Sequence, residues 1–274
     1  MSFKTKFSNI GHPNKIWVIS AIHGEVERLI SVHQSLYAKF KPGDRLIYTG
    51  NYLGGASAKP VPTLDELLHF RRTLMAKPGV MAEDIVYLRG IQEELFGKLL
   101  QIQFAPNASQ IADWMTKYHP DMDSVLQAYG ASLPELSRTA REGILNLTRW
   151  SVALKNSIRS EPGHEKFFTV LRLAAFTENR HTNDNNLLFV HAGLDPEKPL
   201  AAQGDQFWWA FKGFNKIPAP YSPFRSVIRG HDPERNGIQV TPGYISLDGG
   251  CGHGGKLVCA QLSNMGEIIE ILAA

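Results

Sequence analysis

The chain is poor in three things, and each absence narrows what it can be. Only two cysteines occur in 274 residues, Cys251 and Cys259, and they do not form a metal-type C-x-x-C. A chain of this size with two thiols points to a reducing compartment and not to a disulfide framework. No run of about 18 apolar residues is present, so a membrane span is not expected. The opening Met1-Ser2-Phe3-Lys4-Thr5-Lys6 lacks the apolar stretch of a signal peptide, and the reading is cytoplasmic. Charge of one sign is also scarce: the formal net charge is +3, with a pI near 8.8. No Lys/Arg block marks a nucleic-acid tract, so neither nucleic acid nor membrane is expected as a partner. The sequons at Asn107 and Asn146 are then chance matches.

What is present is ordinary for a folded domain, with 43% hydrophobic and 20% charged residues. Ile16 to Ile19, Arg45 to Thr49 and Ile85 to Leu88 read as strands. Between them, Glu25 to Phe40 places Val26, Leu29, Ile30, His33 and Tyr37 at helical spacing. A second helix is expected to open at Thr63-Leu64-Asp65-Glu66, after a loop from Ala58 to Pro62. This alternation signals a layered α/β sheet with its sites at strand ends. From about Glu94 to Thr182 the pattern is almost wholly helical, including Phe167 to Phe176, and predicts a helical insertion or cap within one domain spanning 1–274. Leu187 to Val190 resumes the sheet. Ser226 to Arg229, Gly237 to Val240, Tyr244 to Leu247, Lys256 to Leu262 and Glu267 to Leu272 complete it. Phe207, Trp208, Trp209, Phe211 and Phe214 form an aromatic cluster expected to pack on the sheet. Gly250 to Lys256 satisfies G-x-x-x-x-G-K, but Leu257 follows where a phosphate loop needs Ser or Thr, and a strand pattern follows where it needs a helix.

Five short stretches end hydrophobic runs: Ser20-Ala21-Ile22-His23-Gly24, Gly50-Asn51-Tyr52-Leu53-Gly54-Gly55, Arg89-Gly90-Ile91-Gln92-Glu93, His191-Ala192-Gly193-Leu194 and Arg229-Gly230-His231. Their order and spacing resemble the calcineurin-like metallophosphoesterases, in particular the phosphoprotein phosphatase and diadenosine tetraphosphatase branch. There the stretches read G-D-x-H-G, G-D-x-x-D-R-G, G-N-H-E, H-A/G-G and G-H. Leu247 to Leu257 is similar to the family's closing L-D-x-G-x-x-x-G-G-x-L. The resemblance implies a four-layer α/β/β/α sandwich. It also implies a pair of divalent cations about 3.5–4 Å apart that activate a bridging water.

This chain departs from the pattern where the chemistry is done. Ala21 stands at one aspartate ligand position, Asn51 at the bridging aspartate and Ile91 at an asparagine ligand. His23, His191 and His231 match. The residual metal set is therefore His23, Asn51, His191 and His231, all neutral when able to bind. Repulsion between two divalent cations, on the order of several kcal/mol, would go unopposed. Gln92 occupies the position of the general acid and does not titrate. Gly54 stands where the acid's orienting aspartate would be, and Gly55 where an arginine would hold phosphate. No catalytic residue can be named with these substitutions. Arg89 and Glu93, the charged residues retained in the third stretch, are the expected ligand-binding groups. The expectation is a degenerate member without cofactor, a pseudophosphatase that binds a protein or a phosphorylated ligand. The alternative is an active phosphoesterase using one divalent metal (Zn, Mn or Fe) on phosphoprotein or dinucleoside polyphosphate.

Overall fold

The structure is a computed structural model that describes residues 6–55, 58–178 and 186–274. Among the described residues eleven strands form two sheets. The five-stranded sheet runs β11 (Ile268–Ala273), β10 (Val258–Leu262), β2 (Ile16–Ile19), β3 (Arg45–Tyr48), β4 (Ile85–Tyr87). Within it β2, β3 and β4 are parallel, and β10 is antiparallel to both β2 and β11. The six-stranded sheet runs β1 (Phe7–Asn9), β5 (Ala174–Phe176), β6 (Asn186–Val190), β7 (Phe224–Arg229), β9 (Tyr244–Ser246), β8 (Gln239–Val240). Here β6, β7 and β9 are parallel.

Period-two alternation sorts each strand between two cores. In β2, Ile16 and Val18 face the space between the sheets, with Val86, Phe189, Ile228 and Ala260. Trp17 and Ile19 face the opposite way, under helices α1 (Val26–Lys39) and α2 (Pro60–Met75). The outer face of the other sheet carries Leu188, Val190 and Val227, covered by Phe207, Trp208 and Phe214. Those aromatics belong to α9 (Gln206–Trp209) and the 3-10 turns that follow it. The result is two sheets flanked by helices.

Between β4 and β5 lie α3 (Ile91–Leu99), α4 (Ala108–Tyr118), α5 (Met122–Ala128), α6 (Leu133–Glu142), α7 (Ile144–Ser160) and α8 (His164–Val170). Their apolar faces join the core beneath α1 and α2. Phe167 of α8 packs edge-on against Tyr52 and Tyr87, with ring centroids 5.2 and 5.1 Å away.

Several local expectations are corrected. The buried stripe of α1 is Val26, Leu29, Val32, His33 and Leu36, while Ile30 and Tyr37 face solvent. Helix α2 starts at Pro60, because proline is at home in the first turn where its missing N–H is not needed. Thr63 is therefore inside the helix, its hydroxyl donating to the Lys59 carbonyl at 2.8 Å instead of capping. The segment expected to be helical to Thr182 has its last described helix end at Val170, and Ala174–Phe176 is a strand. Residues 179–182 of that expectation lie outside the described residues. Strands β1 and β5 are three residues each, too short to show a period, and they stabilise one another by parallel pairing.

Candidate functional site

The five stretches meet along one edge of the sheets, each just past the C-terminal end of a parallel strand: β2, β3, β4, β6 and β7. Backbone hydrogen bonds lace them together. Ala21 N–H donates to the Gly230 carbonyl at 3.0 Å, His23 N–H to the Asn51 carbonyl at 2.6 Å and His231 N–H to the His191 carbonyl at 3.0 Å. The second and third stretches touch backbone to backbone. A β-carbon on Gly90 would lie 2.2 Å from the Asn51 nitrogen, and one on Gly50 would lie 2.4 Å from the Gly90 nitrogen. His23 and Asn51 hold left-handed backbone at φ 54° and 55°. Non-glycine residues in that region cost about 1–2 kcal/mol each, a strain that clusters at functional sites.

Three histidines named by the motifs come together, and a fourth joins them. The ring centroids of His191 and His231 are 4.9 Å apart, those of His23 and His231 5.4 Å, and those of His23 and His253 5.2 Å. His191 is wholly buried. Its Nδ1–H donates to the Thr49 carbonyl at 2.7 Å, which leaves a lone pair on Nε2 that meets no partner. Nδ1 of His231 is also buried without a hydrogen bond, 3.5 Å from Oδ2 of Asp248. Burial, then the neighbouring imidazoles of His231 and His253, push the pKa of His23 down to about 3. Burial likewise drives His191 well below the usual range. Burial also opposes the charged form of Asp248, but His231 and the N–H groups of Asp232 and Gly250 outweigh it and hold the carboxyl below its usual value.

The remaining positions are spoken for by the protein itself. Asn51 Oδ1 accepts the Gln92 backbone N–H at 3.2 Å. The Gln92 amide is pinned at both ends to Gly54, accepting its N–H and donating to its carbonyl, each at 2.8 Å. Its nitrogen also lies 3.4 Å from Asp121 Oδ2. Glu93 is buried and accepts N–H bonds from Asn51 (2.9 Å), Tyr52 (2.8 Å) and Gly90 (2.9 Å). Its carboxylate thereby clamps the second stretch to the third. Burial raises its pKa to about 7 against the pull of those donors. Arg89 reaches Glu94 at 3.2 Å and lines a neighbouring, mostly apolar cavity of about 940 Å³. Neither Arg89 nor Glu93 lines the histidine pocket, which is about 860 Å³ and is walled by Ile91, Trp208, Trp209 and Phe211.

Asp121 and His253 are among the pocket residues that escaped the sequence reading. Asp121 comes from the start of α5 and stands 3.2 Å from where a Gly54 β-carbon would be. His253 sits in the glycine-rich loop before β10. No spacing or period in the sequence links either of them to the five stretches.

Among the described residues no group of three or more His, Cys, Asp or Glu side chains converges as a metal shell. The donors present do not fit a paired-cation centre, since no carboxylate stands at an inherited ligand position. The Nε2 of His191, buried without a partner, is a group that a nitrogen-accepting cation would satisfy.

No protein-family model matches the chain. It is similar to a symmetrical bis(5'-nucleosyl)-tetraphosphatase from Salmonella arizonae, 23% identical over 268 residues that cover 89% of this chain and 90% of that one. Among solved structures it is similar to a candidate diadenosine tetraphosphatase. That match has a TM-score of 0.51 and 16% identity, covering 98% of this chain and 97% of the other. In fold and in the order of its motifs, the chain is similar to the calcineurin-like metallophosphoesterases of the phosphoprotein phosphatase and diadenosine tetraphosphatase branch.

Proposed function

We propose that the chain is a degenerate member of this group, a pseudophosphatase that acts by binding a protein or a phosphorylated ligand. The observation that carries this reading is the state of the inherited ligand positions. Ala21 is a buried methyl, Ile91 is a hydrocarbon in the pocket wall, and Asn51 Oδ1 already accepts a backbone N–H. Gln92, where an acid is needed, is locked to Gly54 and has no proton to give at any ordinary pH. What the site keeps is a rigid pocket with aromatic walls, which is the equipment of a binding protein.

One observation favours a second reading. The Nε2 of His191 is buried without a partner, which is costly, and a divalent ion would relieve it. In that case the chain would hydrolyse a phosphoprotein or, like the named function of its tetraphosphatase relative, a dinucleoside polyphosphate. Metal analysis of the purified protein with a phosphatase assay in Mn²⁺ separates the two. The expected result is no turnover in the wild type, with activity appearing only when Ala21→Asp, Asn51→Asp, Ile91→Asn and Gln92→His are combined. Robust wild-type turnover that vanishes in His191→Ala overturns the binding-only reading.

A further inference from the structure

We infer that Arg235 anchors the anionic group of the pocket's ligand, a tetrahedral dianion such as a phosphate monoester. The inference rests on the reading in which the pocket takes a phosphorylated ligand, and adds to it the residue that supplies the charge.

Arg235 is the one arginine or lysine among the described residues that line the histidine pocket. It is exposed, and among the described residues it makes no ion pair and no side-chain hydrogen bond. Its backbone stands at φ 56°, so holding a side chain there costs about 1 kcal/mol that glycine would not incur. The loop is braced in that shape by a buried carboxylate. Asp232 accepts from the backbone of Glu234 at 3.1 Å and of Asn236 at 3.2 Å. It also takes the Asn236 side chain at 3.0 Å and pairs with Arg229 at 2.8 Å. The brace extends to the histidines, because Asp248 accepts the Asp232 N–H at 2.6 Å and stands against His231. A surface arginine with no partner needs no such scaffold. A guanidinium that must meet a ligand at a fixed distance does.

Electrostatics selects both the ligand's charge and its orientation. The imidazoles of His23, His231 and His253 offer the pocket hydrogen-bonding groups, and Arg235 supplies a permanent positive charge. Asp121 and Asp123 occupy the α5 side of the pocket, Asp123 being engaged with the Leu133 N–H and Gln127. An anion is repelled by those carboxylates and drawn to Arg235, which stands close enough to His253 for its field to act on that ring. The planar fork of a guanidinium matches two oxygens of a phosphoryl group, which a neutral imidazole cannot do.

The test titrates metal-free wild-type protein, in EDTA, with inorganic phosphate and with phenyl phosphate by calorimetry, beside Arg235→Gln and Arg235→Lys. Phenyl phosphate should bind the wild type with an affinity that falls as salt rises. Arg235→Gln should weaken it about tenfold or more, and Arg235→Lys by less, because the charge remains without the fork. Melting temperatures of the three proteins should agree, since Arg235 is exposed and, among the described residues, makes no ion pair. Equal affinity in wild type and Arg235→Gln overturns the inference and leaves the phosphorylated-ligand reading standing. No binding of either anion to the wild type overturns both. If Arg235→Gln fails to fold, equal affinity and equal salt dependence in Arg235→Lys and wild type overturn the bidentate anchor.

Discussion

Individual residues at the floor of this pocket are locked in place. Gln92, Asn51 and Glu93 are each fully engaged with backbone, so the floor of the pocket is a hydrogen-bonded structure first. The histidines add a pH dependence of definite sign. His23 has a folded pKa of about 3 against 6.5 for the free side chain, so between those values the unfolded chain holds the extra proton. Its contribution is complete above pH 6.5 and drains away as pH falls toward 3, by about 1.4 kcal/mol per unit. Glu93 works the other way: its stabilisation is present below pH 4.5 and is lost as pH rises through about 7. Comparing wild type with His23→Asn cancels the second effect. The stability difference between them, from urea melts, should grow by about 2 kcal/mol from pH 5 to pH 6.5. A difference that stays flat with pH would mean that His23 is accessible to protons in the folded state.

Helices and strands succeed or fail at this site through their ends. The N-terminus of α3 begins at Gly90, where the third stretch comes within van der Waals contact of the second. Gly90→Ala inserts a methyl 2.2 Å from the Asn51 nitrogen and 2.7 Å from Glu93 Oε2, neither of which can retreat without breaking the clamp. The expected loss is about 2–4 kcal/mol, read as a lower denaturation midpoint with unchanged slope. The strand ends themselves were legible in the sequence, because Ile16 to Ile19, Arg45 to Tyr48 and Ile85 to Tyr87 are compact β-branched and aromatic runs closed by glycine or polar turns. Helix α6 was legible only as part of the long helical run, since its sequence is dominated by polar residues and its few buried groups are Leu133, Leu136 and Thr139.

At the scale of the whole molecule, the helical segment shares one hydrophobic core with the outer face of the five-stranded sheet. Phe167 bridges them, sitting wholly buried on Tyr52 and Tyr87 at the root of the second and third stretches. Phe167→Ala should cost about 3–5 kcal/mol. The melt should remain a single cooperative transition by both circular dichroism and tryptophan fluorescence. Two separated transitions would show instead that the helical segment is stable by itself. Where no described helix is long and apolar enough to cross a membrane, the apolar faces of these helices are accounted for by this core.

The sequence by itself determined the layering and the order of the five strand-end stretches, since period-two runs and glycine-bounded turns are local signals. It also determined which inherited carboxylates are absent, because a missing side chain is plain in one dimension. Only the tertiary structure decided that Glu93 faces backbone amides instead of a ligand, that Arg89 looks into the neighbouring cavity, and that Asp121 and His253 enter the pocket. Those outcomes depend on contacts between residues far apart in the chain. Burial and the partners met on folding, not residue type, set what each group there can do.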